Sequence, residues 1–130
     1  MPLFVPTNMQ GASSSDEVTI PLGEDPFVVL EWGHLIESET SLLFAQGKIE
    51  LQAFSTDGPV TFGYVLMVDG VIIDIAESSA TTPLILPIGA RQEDLPAEHL
   101  VFQVLVTGEG AGSLVVGNRE CMTISGPAIL

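Results

Sequence analysis

The stretch GYVLMVDGVIID, residues 63–74, decides the fold because it places two apolar runs on either side of an Asp-Gly pair. Asp69 and Gly70 tolerate the positive φ angles of a two-residue turn, so the stretch predicts an antiparallel hairpin. In the run that leads into this turn, residues 60–68, both faces are apolar. Such a strand is covered on both sides, either by packing within the chain or by contact with another subunit.

Further short apolar runs, separated by turn residues, occur on both sides of this hairpin. Residues 48–53 alternate between polar and apolar side chains, which is typical of a strand with one face exposed to solvent. The other strand candidates are residues 18–22, 26–32, one or two strands within 41–55, 81–88, 99–108 and 113–124. Residues 89–98 are expected to form a loop that has room for one helical turn. Eight to ten short strands without a substantial helix predict an all-β protein, an antiparallel β-sandwich or barrel.

The chain divides into one domain and two short end segments. A length of 130 residues is typical of one domain, and the strand pattern places a β-sandwich domain at residues 18–125. Residues 1–17 have no hydrophobic period, and Pro2 and Pro6 favour extended backbone there. We interpret them as an extended N-terminal arm, either disordered or docked on a neighbouring subunit. Residues 126–130 are an apolar C-terminal tail.

The composition combines high apolar content with a strong negative charge. Hydrophobic residues make up 46% of the chain, and 17 Asp and Glu against three Lys and Arg give a formal net charge of −14. Apolar surface beyond one small core is usually covered by a partner or a copy. Three cations are too few to neutralise a phosphate backbone, so we expect no direct binding of nucleic acid. An anionic membrane surface is disfavoured for the same reason.

Side chains that carry catalytic chemistry are scarce. Two His and one Cys are fewer than the three or four ligands of a zinc-type site. His34 and His99 are expected at strand edges, solvated or hydrogen-bonded, and Cys121 is expected to be a small buried hydrophobe. Counting leaves a Ser-His-Asp triad open, but the G-x-S-x-G elbow is absent. We therefore predict a protein that is not an enzyme, with no catalytic residues, no cofactor and no metal site.

Calcium is the one ion for which the sequence offers plausible ligands, because it binds carboxylate and carbonyl oxygens. Asp69 and Asp74 flank the hairpin turn, and Glu37 and Glu39 lie on one loop. None of them matches a dedicated calcium loop, and a solvated acidic face is the alternative interpretation.

Eight apolar residues are the candidates for contact with other chains. Five lie near the two ends of the sequence, and Trp32, Tyr64 and Leu66 lie within strands. Interfaces favour Trp and Tyr, although Trp32 also fits a core position. The five residues near the ends are Leu3, Phe4, Val5, Ile129 and Leu130.

The order of the apolar runs between residues 40 and 125 resembles a known architecture. IELQAFS leads into YVLMVDGVII, then TTPLILPI, then a loop ending in LPAEH, then LVFQVLVTGEGAGSLVVGNRECMTI. This layout is similar to the compact jelly-roll heads of the tumour-necrosis-factor and complement-head type, which recur in bacteriophage capsid and fibre proteins. The resemblance implies a jelly-roll-like sandwich that assembles as a homotrimer.

These observations favour a structural virion protein at the capsid surface. As a decoration or cement protein it would bind across subunits of the major capsid protein and stabilise the shell, and its acids suit a basic docking surface. The alternative is a non-enzymatic surface binding head, lectin-like and of the phage-fibre or spore-coat type. Because salt screens the acids and mild acid protonates them, either is expected to strengthen self-association.

Overall fold

The structure is a computed structural model, and it describes residues 3–4, 6–23, 25–37, 41–54, 61–78, 84–95, 97–110 and 112–129. Within these ranges the regular structure consists of strands, and no helix is present. The strands are β1 Leu3–Phe4, β2 Asn8–Ser14, β3 Val18–Pro21, β4 Phe27–Leu35, β5 Ser41–Phe54, β6 Thr61–Val68, β7 Val71–Ser78, β8 Leu84–Leu95, β9 His99–Glu109 and β10 Ser113–Ile129. The predicted all-β class is confirmed.

The strands form two antiparallel sheets. In the first sheet, β10 lies between β5 and the three N-terminal strands, and β8 pairs with the far side of β5. The second sheet has the order β4-β9-β6-β7. Buried side chains from both sheets form one hydrophobic cluster, so the predicted antiparallel β-sandwich of eight to ten strands is confirmed.

The pairing follows a simple rule along the chain. β6 pairs with β7, β5 with β8, β4 with β9, and β3 with β10, and successive pairs belong to alternate sheets. The chain is thus one long hairpin rolled up so that its pairs alternate between the layers, which is the jelly-roll arrangement. The hairpin β6–β7, with its turn at Asp69 and Gly70, is the tip of this roll.

The turn at the tip has the predicted backbone. Asp69 has φ 47° and Gly70 has φ 83°, as a two-residue hairpin turn requires. The amide of Asp69 donates to the carbonyl of Val101 at 2.9 Å, and the Asp69 carboxylate accepts from the amide of Val101 at 2.8 Å. The tip is therefore anchored to β9.

The core follows from the alternation of side chains along the strands. Phe62, Tyr64 and Leu66 of β6 point inward and are at most 2% exposed. The rings of Trp32 on β4 and Phe102 on β9 stack with their centroids 5.5 Å apart. The first sheet contributes the buried side chains Leu43, Ala45, Ile49, Leu51, Leu86, Ile88, Leu114, Val116 and Cys121 to the same cluster.

The N-terminal strands line one edge of β10. β3 pairs with residues 113–116, β2 with residues 119–125, and β1 with residues 128–129. Part of the segment interpreted as an arm thus lies in the first sheet. The boundary at residue 17 and the C-terminal tail at 126–130 stay predictions.

The expectation of a loop at residues 89–98 was wrong for its first part. β8 continues to Leu95 and pairs with β5 along its length. Ala90 and Gln92 are half-buried, whereas Gly89, Arg91 and Glu93 are exposed. A strand at the edge of a sheet keeps one polar face in water, so its composition is close to that of a loop. Asp57-Gly58 is a second Asp-Gly pair of the sequence and also predicts a turn, but it lies outside the described residues.

Arg119 is a buried cation whose hydrogen bonds connect a β-bulge in the first sheet with a β-bulge in the second. It follows a bulge in β10, and its Nε donates at 3.0 Å to the carbonyl of Val29, which lies in a bulge of β4. Its Nη1 donates to the carbonyls of Asp16 at 2.6 Å and Gly117 at 3.0 Å. Because these bonds occupy the guanidinium inside the fold, Lys48 and Arg91 are the exposed cations of the chain.

Candidate functional site

A chain of buried polar side chains crosses the interior between the sheets. On β4, His34 is 0% exposed, and its Nε2 lies 2.6 Å from the hydroxyl of Ser125 on β10. Its Nδ1 lies 2.8 Å from the hydroxyl of Thr123, which also accepts a hydrogen bond from Trp32 Nε1 at 3.0 Å. The Thr123 hydroxyl donates in turn to the carbonyl of Gln10 at 3.3 Å. Every polar atom of this group therefore has a partner.

This arrangement contains a serine–histidine pair but not the geometry of a hydrolase. The partners of His34 are two hydroxyls rather than a carboxylate, and both it and Ser125 are closed off from solvent. Burial, and secondarily the charge of His99, lower the pKa of His34, which favours the neutral imidazole. His34 lies near the end of the edge strand β4 and is hydrogen-bonded, as expected, but its side chain points into the core. His99 is exposed at the start of β9.

Tyr64 links the two sheets on the opposite side of the sandwich. Its hydroxyl lies 2.5 Å from a carboxylate oxygen of Asp74 on β7 and 2.9 Å from the carbonyl of Pro87 on β8. Burial, and then the hydrogen bond and charge of Asp74, raise the pKa of Tyr64. The hydroxyl is therefore held in its protonated form.

Cys121 is buried, as expected, and unpaired. Burial raises the pKa of its thiol to about 12. Because the thiolate is the nucleophile, a thiol held in its protonated form is unreactive.

Among the described residues, no group of three or more His, Cys, Asp or Glu side chains could hold a metal ion. The carboxylate of Asp69 accepts a backbone amide, and that of Asp74 contacts Tyr64. Glu37 is exposed two residues beyond the end of β4, and Glu39 lies outside the described residues.

The outer face of the first sheet carries an open groove of about 720 Å³ across β2, β10 and β5. Gly11 and Gly47 are among its lining residues, and neither position has room for a side chain. A Cβ at Gly11 would come within 2.5 Å of the Cys121 carbonyl oxygen. A Cβ at Gly47 would come within 2.1 Å of the Glu120 carbonyl oxygen. The side chains that line the groove include Gln46, Lys48 and Glu120.

The outer face of the second sheet is apolar across its full width. The register places Val28, Leu105, Val65 and Ile75 side by side on β4, β9, β6 and β7. Met67 and Ile72 form a second pair beside this row. Val28 is 40% exposed, Ile72 57% and Ile75 56%, whereas Leu105 and Met67 are half-buried and Val65 is buried. The face is therefore open to solvent mainly along its two edge strands, β4 and β7. We call these six residues, Val28, Val65, Met67, Ile72, Ile75 and Leu105, the second-sheet face.

The eight predicted contact residues fall into two groups, one in the core of the chain and one near its two ends. Trp32, Tyr64 and Leu66 are at most 7% exposed and belong to the core of the single chain, so they offer no surface to a partner. The backbones of Leu3 and Phe4 pair with those of Ile129 and Ala128. Val5 and Leu130 lie outside the described residues. As contact residues, the five near the ends stay predictions.

Sequence reasoning identified the second apolar face of β6 but missed the residues of β4, β7 and β9 that continue it, which are Val28, Ile72, Ile75 and Leu105. The signal was present in β6, where Val65 and Met67 alternate with the inward-facing Tyr64 and Leu66. When one apolar face of a strand packs into the core, its other apolar face points outward and can contact another chain.

In the part of the chain that the structure describes, no helix is long and apolar enough to span a bilayer. No family model and no curated protein matches the sequence.

Solved structures share the fold at low sequence identity. A protein chain in the viral particle of infectious bursal disease virus superposes on 92% of this chain with a TM-score of 0.56 and 12% sequence identity. The match covers 32% of the viral chain. The Gx strain of the same virus matches 92% of this chain, with a TM-score of 0.53, 15% identity and 34% of that chain covered. Its VP2 subviral particle matches 95%, with a TM-score of 0.50, 12% identity and 33% covered. This chain thus spans about a third of the length of those proteins and shares a β-sandwich with them.

Proposed function

We propose that this chain is a structural protein of a viral particle, without enzymatic activity. It binds across subunits of the major capsid protein at the capsid surface and stabilises the shell, as a decoration or cement protein does. The observation that carries the proposal is the apolar row across all four strands of the second sheet. An outward-facing apolar row that leaves large side chains such as Val28 and Ile75 exposed at its two ends is typical of a site of protein–protein contact.

The chemistry of the interior supports a role without catalysis. The one serine–histidine pair described is sealed in the core, and the single thiol is buried and held protonated. A reacting group must reach its substrate, and neither of these does. Their hydrogen bonds and packing contribute to the fold instead.

The likeness to a virus particle supports the choice of partner. The VP2 subviral particle of infectious bursal disease virus contains a sandwich of the same fold. The predicted similarity to the jelly-roll heads of bacteriophage capsid proteins points the same way. Within this proposal the chain assembles as a homotrimer, and its strong negative charge suits a basic shell surface.

Co-sedimentation tests the proposal. Empty shells assembled from the major capsid protein of the same genome are mixed with the purified chain and pelleted through a cushion. We expect saturable co-sedimentation at a fixed ratio to the capsid subunits, and shells that dissociate at a higher temperature when the chain is bound. A chain that stays in the supernatant at all concentrations would contradict the proposal.

Light scattering across a salt series tests the trimer separately. We expect a mass of three chains that becomes more stable as salt rises, because salt screens the repulsion between acids. A monomer at every salt concentration would remove self-assembly from the proposal while leaving shell binding to be judged on its own.

A non-enzymatic surface binding head is the second candidate, and the groove on the first sheet favours it. The polar side chains of Gln46, Lys48 and Glu120, which line it together with Gly11 and Gly47, fit a small polar ligand. A glycan array tests this candidate. Binding of one glycan class that is lost in Gln46→Ala, together with no binding to shells, would favour the head over the capsid protein.

A further inference from the structure

The second-sheet face has an acidic border without a cation. The strands β4, β6, β7 and β9 contain no Lys or Arg. Glu31 and Glu77 occupy outward positions beside the apolar residues, Asp69 lies in the adjoining turn, and Glu109 ends β9. The carboxylate of Glu31 is held on this face by a hydrogen bond from Gln103 Nε2 at 2.7 Å.

This distribution of charge disfavours a face-to-face contact between two copies. In a twofold contact the same patch meets itself, so the acids of one copy would face the acids of the other. No cation from these strands would offset the repulsion. Like charges that meet in a contact suppress it, whereas complementary charges favour it.

A contact between the second-sheet face and the first sheet of another copy is also disfavoured. The exposed cations of the first sheet already have acidic neighbours on the same copy. Arg91 forms a salt bridge with Glu93 at 2.6 Å, and Lys48 lies opposite Glu120 in the register of β5 and β10. They are therefore poor partners for a second set of acids.

Resting on the function proposed above, we propose that the second-sheet face docks on a capsid-protein surface whose apolar centre is bordered by Lys and Arg. The first sheet, on the other side of the sandwich, then faces away from the shell. An apolar centre with a charged rim is the usual anatomy of a protein interface. The charges of the two rims would fix the orientation of the chain on the shell.

A matched pair of substitutions tests this assignment. Ile75 and Ile85 are the same residue type, 56% and 58% exposed, and both lie on edge strands, β7 of the second sheet and β8 of the first. Ile75→Lys places a cation in the docking face, and Ile85→Lys makes the same change of net charge on the opposite side. Ile72→Lys, at a position 57% exposed, is a second variant of the docking face. Thermal melting first establishes that each variant is folded.

The readout is co-sedimentation with empty shells of the major capsid protein. We expect Ile75→Lys to weaken binding by roughly tenfold or more and Ile85→Lys to leave it within about twofold. Equal losses in both variants, or a larger loss in Ile85→Lys, would overturn the assignment of the face while the capsid function stands. An oligomer of the wild-type chain that Ile75→Lys dissociates would show that a second copy covers the face, which also overturns the proposal.

If the wild-type chain does not bind shells, the capsid function is contradicted, and a second experiment tests the second-sheet face separately. Retention is then compared on a resin that carries both phenyl and quaternary ammonium groups. Lower retention of Ile75→Lys than of Ile85→Lys supports a face that recognises apolar surface with a positive border. Equal retention of the two variants overturns it.

Discussion

His34 Nε2 lies 2.6 Å from Ser125 Oγ, and this hydrogen bond joins the two sheets through the core. His34 belongs to β4 of the second sheet and Ser125 to β10 of the first. The bond from Trp32 to Thr123 joins the same two strands one step further along. Two polar links thus fix the relative position of the layers where apolar packing alone would allow them to slide. Such specificity requires that each buried polar atom keeps its partner.

The first prediction concerns pH. Burial holds the pKa of His34 below its ordinary value of 6.5, so near and below that pH the unfolded chain binds more protons at this residue than the folded chain. The contribution of His34 to stability is therefore present above pH 6.5 and decreases as the pH falls below it. Thermal melting between pH 8 and pH 5, in steps of about half a unit, measures this slope.

The control for this prediction is a pair of histidine variants. His34→Gln keeps a polar side chain but removes the titration, so its melting temperature is expected to change less between pH 7 and pH 5.5. His99→Gln removes the exposed histidine and is expected to keep most of the wild-type slope. An unchanged slope in His34→Gln would assign the effect to other groups, such as the acids.

The second prediction concerns Leu66, which was a candidate contact residue but lies in the core. Its side chain is 0% exposed, so Leu66→Ala leaves a cavity and is expected to lower the free energy of unfolding by about 2–5 kcal/mol. Ile85→Ala, on an exposed position, is expected to cost within about 0.5 kcal/mol. Urea denaturation of the two variants measures the difference. Similar small losses in both would mean that Leu66 is not packed as described.

The third prediction separates backbone strain from crowding. Neither Gly70 nor Gly89 has an atom within 4 Å of the position that a Cβ would take, but Gly70 has φ +83°. Gly70→Ala therefore forces an L-residue into the left-handed region and is expected to cost about 1–2 kcal/mol of stability. Gly89→Ala lies in a strand without positive φ, so it is expected to be neutral or slightly stabilising. Chemical denaturation compares the two, and an equal effect would contradict the turn geometry.

The fourth prediction uses Tyr64, the single tyrosine of the chain. Because burial and Asp74 raise its pKa, stability from the protonated hydroxyl is fully present below pH 10, the ordinary value, and is lost as the pH rises further. Ultraviolet absorbance of tyrosinate is expected to appear only together with unfolding.

Tyr64→Phe removes the hydroxyl and leaves Asp74 and the carbonyl of Pro87 without this partner. The expected cost is about 1–3 kcal/mol of stability at neutral pH. Tyrosinate absorbance that rises near pH 10 while the circular dichroism spectrum stays native would show instead that the hydroxyl is accessible.

Local patterns were sufficient to predict the strands but not the way in which distant strands meet. The alternation in β6 and the Asp69-Gly70 turn are properties of neighbouring residues, so they could be predicted from the sequence. The pairing of β3 with β10 depends on residues about a hundred positions apart, and no local pattern records it. The hydrogen bonding of His34 was expected but its burial could not be predicted, because the two hydroxyls that bind it belong to the other sheet.

The candidate site was predictable only as a kind of surface. Excess apolar content indicated that something covers this protein, and the two apolar faces of β6 located part of it. The full row needed the register, because Val28, Leu105 and Ile75 become neighbours of Val65 only when four strands are aligned. Trp32 and Tyr64 were chosen by residue type, and residue type does not distinguish an interface from a core.

The position of β10 in the middle of the first sheet has a consequence for biosynthesis. Among the described strands, β1, β2 and β3 pair only with β10, whereas β5 pairs with β10 along one edge and with β8 along the other. A ribosome produces all four of these strands before β10. The pairs β6–β7 and β5–β8 can form as soon as their strands have left the exit tunnel, whereas β1, β2 and β3 have to wait for residues 113–129. During that interval the edge of β5 and the apolar segments of the core are open to aggregation, which is the hazard of folds dominated by distant pairing. Codon usage or chaperone binding over the last third of the sequence is therefore expected to influence the yield of folded protein more strongly than over the first.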